Sequence, residues 1–225
     1  MTEIILALDL PGADEALRLL DRLPRLRWVK VGSILMTREG PPLVHTLTGR
    51  GLRVFLDLKW HDIPNTVAGA VSAASDLGVS MATIHTLGGR EMMEAAARAA
   101  HPDLGLVGVT VLTSHDDTSY RTALGRDHAD LNAEVTRLAR TAMEAGLRGI
   151  VCSPREVARV QSVTGPEGWI VVPGIRRPGD PAGDQARTAT PREAAQAGAT
   201  HLVVGRPILQ ADDPAAALDS MLEGL

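Results

Sequence analysis

Eight short apolar runs recur along the chain, separated by stretches in which polar and apolar positions follow helical spacing. The runs are IILALD (4–9), WVKVG (28–32), VFLDLK (54–59), MATIH (81–85), LVGVTVL (106–112), GIVC (149–152), WIVVPG (169–174) and HLVVG (201–205). Most are near-continuously hydrophobic, as parallel strands are when helices cover their outer face. Between them, DEALRLLDRL (14–23) aligns Ala16, Leu17, Leu20 and Leu23 on one stripe, with Asp14 as its expected N-cap. EMMEAAARAA (91–100), DLNAEVTRLARTAMEAG (130–146) and REVARVQSV (155–163) carry similar stripes. Gly78, Gly146 and Gly198 stand just past helical patterns, where a C-terminal cap glycine belongs. Strand–helix alternation repeated eight times predicts an α/β fold, a (β/α)8 TIM barrel in one domain over residues 1–225. An open doubly wound sheet is the alternative, weakened because no G-x-G-x-x-G follows the first run.

Composition narrows the function classes. At 225 residues and 44% hydrophobic content the chain can fill one substantial core. A net charge of −4 with 2% aromatic residues argues against a nucleic-acid surface, which needs basic patches and stacking platforms, so nucleic acid is not an expected partner. No run approaches the roughly 18 apolar residues of a membrane span. The first residues, MTEIILALDL, lack the basic start of a secretory signal. The single cysteine, Cys152, allows no internal disulfide and is expected in a buried strand. A cytoplasmic location follows as an expectation.

In a barrel of this kind, chemistry sits at the C-terminal ends of the strands. The polar residues there are Asp9, Lys30, Asp57, Lys59, His85–Thr86, Thr113–Ser114, Gly174–Arg176 and Gly205–Arg206. Strand residues i and i+2 share a face, so Asp57 and Lys59 point together into the barrel and Lys30 can join them. A buried ion cluster that merely closes the barrel mouth would add little stability, because desolvation offsets the attraction. Converging charges at one barrel end instead point to function. The Gly-, Pro- and charge-rich stretch 174–191 falls between the seventh and eighth runs, the usual phosphate-binding neighbourhood of such barrels.

DLKWHDIPNT (57–66) resembles the D-x-K-x-x-D-I-P-N-T signature of the orotidine 5′-phosphate decarboxylases. Other landmarks of that family occur in the same order: ALDL with Asp9, KVG with Lys30, LTS (112–114), PGIR (173–176), DQARTATP (184–191) and VVGRPI (203–208). The resemblance spans nearly the whole chain. It implies a cofactor-free decarboxylation of orotidine 5′-phosphate to UMP, with no metal, in a homodimer. By this resemblance Lys59 protonates C6 of the pyrimidine, Asp57 lies beside the substrate carboxylate, and Lys30 completes the array. Asp62 and Thr66 reach across to the neighbouring subunit's site, and Ile63 joins the substrate pocket beside them. Asp9 takes the ribose hydroxyl, Thr113 and Ser114 the pyrimidine, and Pro173 walls the base pocket. Gln185, Gly205 and Arg206 grip the phosphate, with Arg176 nearby on a closing loop, 174–191.

The residue types suit that chemistry. Loss of carbon dioxide leaves negative charge on carbon, and a lysine flanked by carboxylates can stabilise that charge and supply the proton. Two other classes compete. One is a magnesium-dependent decarboxylase or aldolase of the same superfamily acting on a keto-sugar phosphate, which would lack I-P-N-T. The other is a nucleotide-binding module without catalysis, which would not need Asp57, Lys59 and Asp62. Elsewhere, His61 is expected on the face opposite Asp57 and Lys59, with a structural or interface role. His85 is expected to be a core histidine, Met92 and Met93 packing residues, and Asp116–Asp117 a solvated turn. Arg177 is expected at the surface.

Overall fold

The structure is a computed structural model that describes residues 2–128, 130–177 and 187–225. Its strands are β1 (Glu3–Ala7), β2 (Trp28–Gly32), β3 (Arg53–Trp60), β4 (Met81–His85), β5 (Gly105–Val109), β6 (Gly149–Val151), β7 (Trp169–Val172) and β8 (His201–Val204). All pair in parallel with their sequence neighbours, and β8 closes onto β1, giving the expected (β/α)8 barrel. The helices are α1 (Ala13–Asp21), α2 (Ser33–Gly49), α3 (Pro64–Asp76), α4 (Gly89–Ala99), α5 (Asp117–Leu124), α6 (Leu131–Glu144), α7 (Val157–Thr164), α8 (Pro191–Gln196), α9 (Arg206–Leu209) and α10 (Pro214–Glu223).

Two apolar layers hold the fold. Ile5, Trp28, Phe55, Met81, Val107, Val171 and Val203 fill the barrel interior. A larger outer cluster, including Val31, Leu56, Ile84, Met92, Met93, Val135 and Ile150, packs strands against helices. Each fully buried large side chain contributes about 1.5–3 kcal/mol, which explains why nearly every position of β2 and β5 is apolar or glycine. Gly149 lets β6 lie close to β7: a Cβ there would sit 2.1 Å from the Trp169 carbonyl oxygen.

Several local expectations hold. Gly78, Gly146 and Gly198 follow α3, α6 and α8 with φ of 71°, 89° and 109°, the left-handed geometry that favours glycine. Cys152 is buried just past the end of β6, where burial pushes its thiol pKa up. Two expectations are corrected. Asp14 is not the N-cap of α1; Gly12 is, and the Ala13 N–H is taken by Glu39 Oε1 from α2 at 3.1 Å. Asp14 lies in the first turn instead, where it still complements the helix dipole. The supposed polar turn at Asp116–Asp117 begins α5: Asp116 accepts from Ser119 N at 2.7 Å, and Asp117 accepts from Leu131 N at 3.1 Å. Both carboxylates satisfy orphan N–H groups at helix starts.

Candidate active site

At the C-terminal mouth of the barrel, four charged side chains from three adjacent strands form an alternating chain. Lys30 Nζ donates to Asp9 Oδ1 at 3.1 Å and lies 3.7 Å from Asp57 Oδ2. Lys59 Nζ donates to Asp57 Oδ1 at 2.8 Å. Lys30 is only 8% exposed, so it meets two carboxylates in a largely desolvated position. Gly32 leaves the room for this contact, since a Cβ there would stand 3.0 Å from Lys30 Nζ. Burial alone would raise the pKa of Asp57. The Lys30 and Lys59 ammoniums, with hydrogen bonds from Lys59 and Thr83, outweigh it and hold the carboxyl below its ordinary 3.8.

The backbone of β3 is bent to build this array. Lys59 has φ 52°, the single positive φ outside glycine among the described residues. Pairing with β4 slips between Leu56 and Trp60, and the Lys59 N–H leaves the ladder to donate to Thr83 Oγ1 at 2.8 Å. Such a conformation costs on the order of 1–3 kcal/mol and persists only when its surroundings fix it. Thr83 supplies that fixation, and its hydroxyl also donates to Asp57 Oδ1 at 3.0 Å. Thr83 is fully buried. The sequence reading missed it, although it lies two residues before His85 and therefore faces the barrel interior.

Two histidine expectations are also corrected. His61, expected opposite Asp57 and Lys59, is not turned away from the site: its exposed ring stacks on His85 at the end of β4, with centroids 5.5 Å apart. His85 is a half-buried residue at the barrel rim rather than a core histidine, and its Nδ1 accepts from Leu87 N at 3.3 Å. Burial, then the neighbouring His61 and Lys59, lower its pKa to about 4, so the ring is neutral at pH 7.

The other predicted residues occupy the same rim. Thr113 and Ser114 follow β5, and Pro173 follows β7. Arg176 is buried and donates through Nη1 to the Ile175 carbonyl at 2.8 Å. Gly205 precedes α9, and Arg206 opens it as an exposed side chain. Gln185 and most of the predicted closing loop, residues 178–186, lie outside the described residues. Asp62, Ile63 and Thr66 are exposed beyond the end of β3, Ile63 at 66%. Asp62 makes no ion pair with Lys30 or Lys59; its Oδ1 accepts from Ile63 N at 2.6 Å. Arg177 is half-buried rather than at the surface.

A barrel mouth carrying a lysine–carboxylate array defines a barrel enzyme equipped to stabilise negative charge and deliver a proton. Comparison with known proteins narrows the class. Residues 2–221 match the family model described as "Orotidine 5′-phosphate decarboxylase / HUMPS family", and the chain belongs to that family. It is 51% identical over 222 residues to the orotidine 5′-phosphate decarboxylase of Chromohalobacter salexigens, covering 96% of this chain and 93% of that one. Identity to the enzyme of the same name from Halorhodospira halophila is 52% over 218 residues, covering 95% and 92%. The crystal structure of the Lactobacillus acidophilus orotidine 5′-phosphate decarboxylase superposes with a TM-score of 0.88 at 35% identity, covering 100% and 99%.

Proposed function

We propose that this barrel decarboxylates orotidine 5′-phosphate to UMP, a carboxy-lyase step of pyrimidine synthesis that needs no cofactor. The observation that carries the reading is the alternating chain Asp9–Lys30–Asp57–Lys59, with an ammonium 2.8 Å from a carboxylate held ionised. Lys59 delivers its proton to C6 as carbon dioxide leaves, and Asp57 faces the substrate carboxylate. Lys30 keeps Asp57 charged, and Asp9 takes a ribose hydroxyl. Thr113, Ser114 and Pro173 hold the base. Arg206, Gly205, Arg176 and Gln185 take the phosphate, and residues 174–191 form the loop over it.

Single contacts lower a barrier by only a few kcal/mol, whereas enzymes lower barriers by roughly 8–23 kcal/mol. Binding of the remote phosphate therefore has to organise the charges at the reacting carbon. The active unit is a homodimer of single-domain barrels in the cytoplasm. Support comes from Asp62, Ile63 and Thr66: an exposed apolar side chain between an exposed carboxylate and a hydroxyl suits a subunit contact beside the site. No helix among the described residues is long and apolar enough to cross a membrane.

The test is to follow the absorbance change as orotidine 5′-phosphate is consumed, with and without EDTA. Turnover that survives the chelator supports the reading. Turnover abolished by EDTA favours the magnesium-dependent sugar-phosphate alternative, and no turnover at all favours a binding module.

A further inference from the structure

Three loops of the barrel mouth meet at one buried guanidinium that the charge array does not use. Arg187 is 7% exposed and forms an ion pair through Nη1 with Glu156 Oε1, itself 2% exposed. Its Nη2 donates to the Leu112 carbonyl at 3.3 Å. Glu156, in the turn between β6 and α7, also accepts from Ser153 N through Oε2 at 2.9 Å. Leu112 immediately precedes Thr113 and Ser114. Two residues past Arg187, Ala189 bridges to Ile175, and its carbonyl accepts from Arg176 N at 2.9 Å. Arg187 thus ties the loop after β5 to the loops after β6 and β7.

Stability alone gives little reason for this pair. Desolvating two charges offsets most of their attraction, and an apolar pair of the same volume would serve as well. Arg187 Nε is moreover buried without a partner, a further cost. What a guanidinium adds is a rigid planar fork that fixes two acceptors relative to each other. Here the two acceptors belong to different loops, one leading to the base-contacting turn and the other in the turn between β6 and α7, while Arg187 itself stands in the loop after β7.

We propose that Arg187 is a positioning residue that couples occupation of the phosphate end of the site to the order of the base-contacting turn, Leu112–Ser114. This rests on the assignment of those two ends under the proposed function. Arg187 touches no substrate atom; it makes the turn respond to the phosphate.

Amide hydrogen exchange of a peptide covering residues 110–116 tests this, with ribose 5-phosphate as the probe. In the wild type, saturating probe is expected to slow exchange there at least about fivefold, the low end of typical coupling between sites. Two variants are compared: Arg187→Lys, and the double variant Arg187→Met with Glu156→Gln, which leaves no charge buried alone. Both are expected to bind the probe with little change in affinity yet show no slowing at 110–116. With orotidine 5′-phosphate they should lose kcat more than they raise KM. Slowing that persists in the variants, or is absent in the wild type, overturns the proposal. So does loss of both the fold and probe binding in both variants, which would make Arg187 purely structural. A wild type that turns over orotidine 5′-phosphate without this coupling refutes the inference alone. One that neither binds the probe nor turns over substrate refutes the functional reading as well.

Discussion

Under the proposed function Lys59 and Asp57 carry the chemistry, and the roles assigned to them separate experimentally. Asp57 keeps its charge because two ammoniums and the Thr83 hydroxyl outweigh the penalty of burial. On that reading, removing Lys59 takes away the proton donor but leaves the rim residues proposed to hold base, ribose and phosphate. Lys59→Ala is therefore expected to lower kcat by at least about 10³-fold while UMP still binds, as titration calorimetry would show. Near-normal turnover in this variant would refute the assignment of Lys59 as the acid. These two residues were legible from the sequence because i and i+2 spacing on a strand states their common direction. Lys30 was legible for a similar reason, since β2 and β3 pair side by side with Lys30 opposite Phe55.

At the scale of an element, β3 is the decisive strand. Its first residues follow the regular ladder with β2, and its end departs from β4 so that Lys59 can fold back onto Asp57. Thr83 on β4 holds that departure by accepting from the Lys59 N–H and donating to Asp57. Thr83→Val keeps shape and burial but leaves a buried N–H and a carboxylate oxygen without this partner. Such losses cost about 1–3 kcal/mol, so kcat/KM is expected to fall roughly 10- to 100-fold with the barrel intact by circular dichroism. An unchanged kcat/KM would show that the bend holds itself. Nothing in the sequence announced the bend, because lysine is an ordinary residue whose positive φ arises only from contacts with another strand. His61 was misplaced for a different reason: period-two alternation carried past Lys59 puts residue 61 on the face of 57 and 59, not opposite them.

For the whole molecule, two properties follow from closure and assembly. The N-terminal end of the barrel is closed by Trp28, Trp169 and His201, whose rings pack with centroids 5.1–6.2 Å apart. Burial, then the nearby Arg53, lower the His201 pKa from 6.5 to about 4. The unfolded chain takes up this proton near pH 6.5 and the folded chain resists until about pH 4. Stability present above pH 6.5 is thus lost as pH falls through that window, by at most about 3 kcal/mol from this group. Thermal melts at stepped pH should show Tm falling less steeply across the window in His201→Gln than in the wild type; equal slopes would assign the acid sensitivity elsewhere. Assembly gives the second expectation. If Asp62 serves the neighbouring subunit, mixing inactive Lys59→Ala and Asp62→Ala proteins restores part of the activity, because one site of each mixed dimer is intact. No recovery despite demonstrated subunit exchange would count against a shared site.

The barrel and the inward placement of Asp57, Lys59 and Lys30 can be read from the chain's local pattern alone. Continuous apolar runs, helical stripes and cap glycines act locally, and each is visible within a few residues. Tertiary structure decided what depends on residues far apart in the chain. Glu39 replaces Asp14 as the acceptor at the start of α1, Thr83 bends β3, and Arg187 joins Glu156 to Leu112. These contacts exist only once the barrel has closed, because closure brings strand ends and loops from distant stretches onto one rim. Side-chain hydrogen bonds across such separations leave no periodic trace in a sequence, and at that rim they set the geometry on which the proposed chemistry depends.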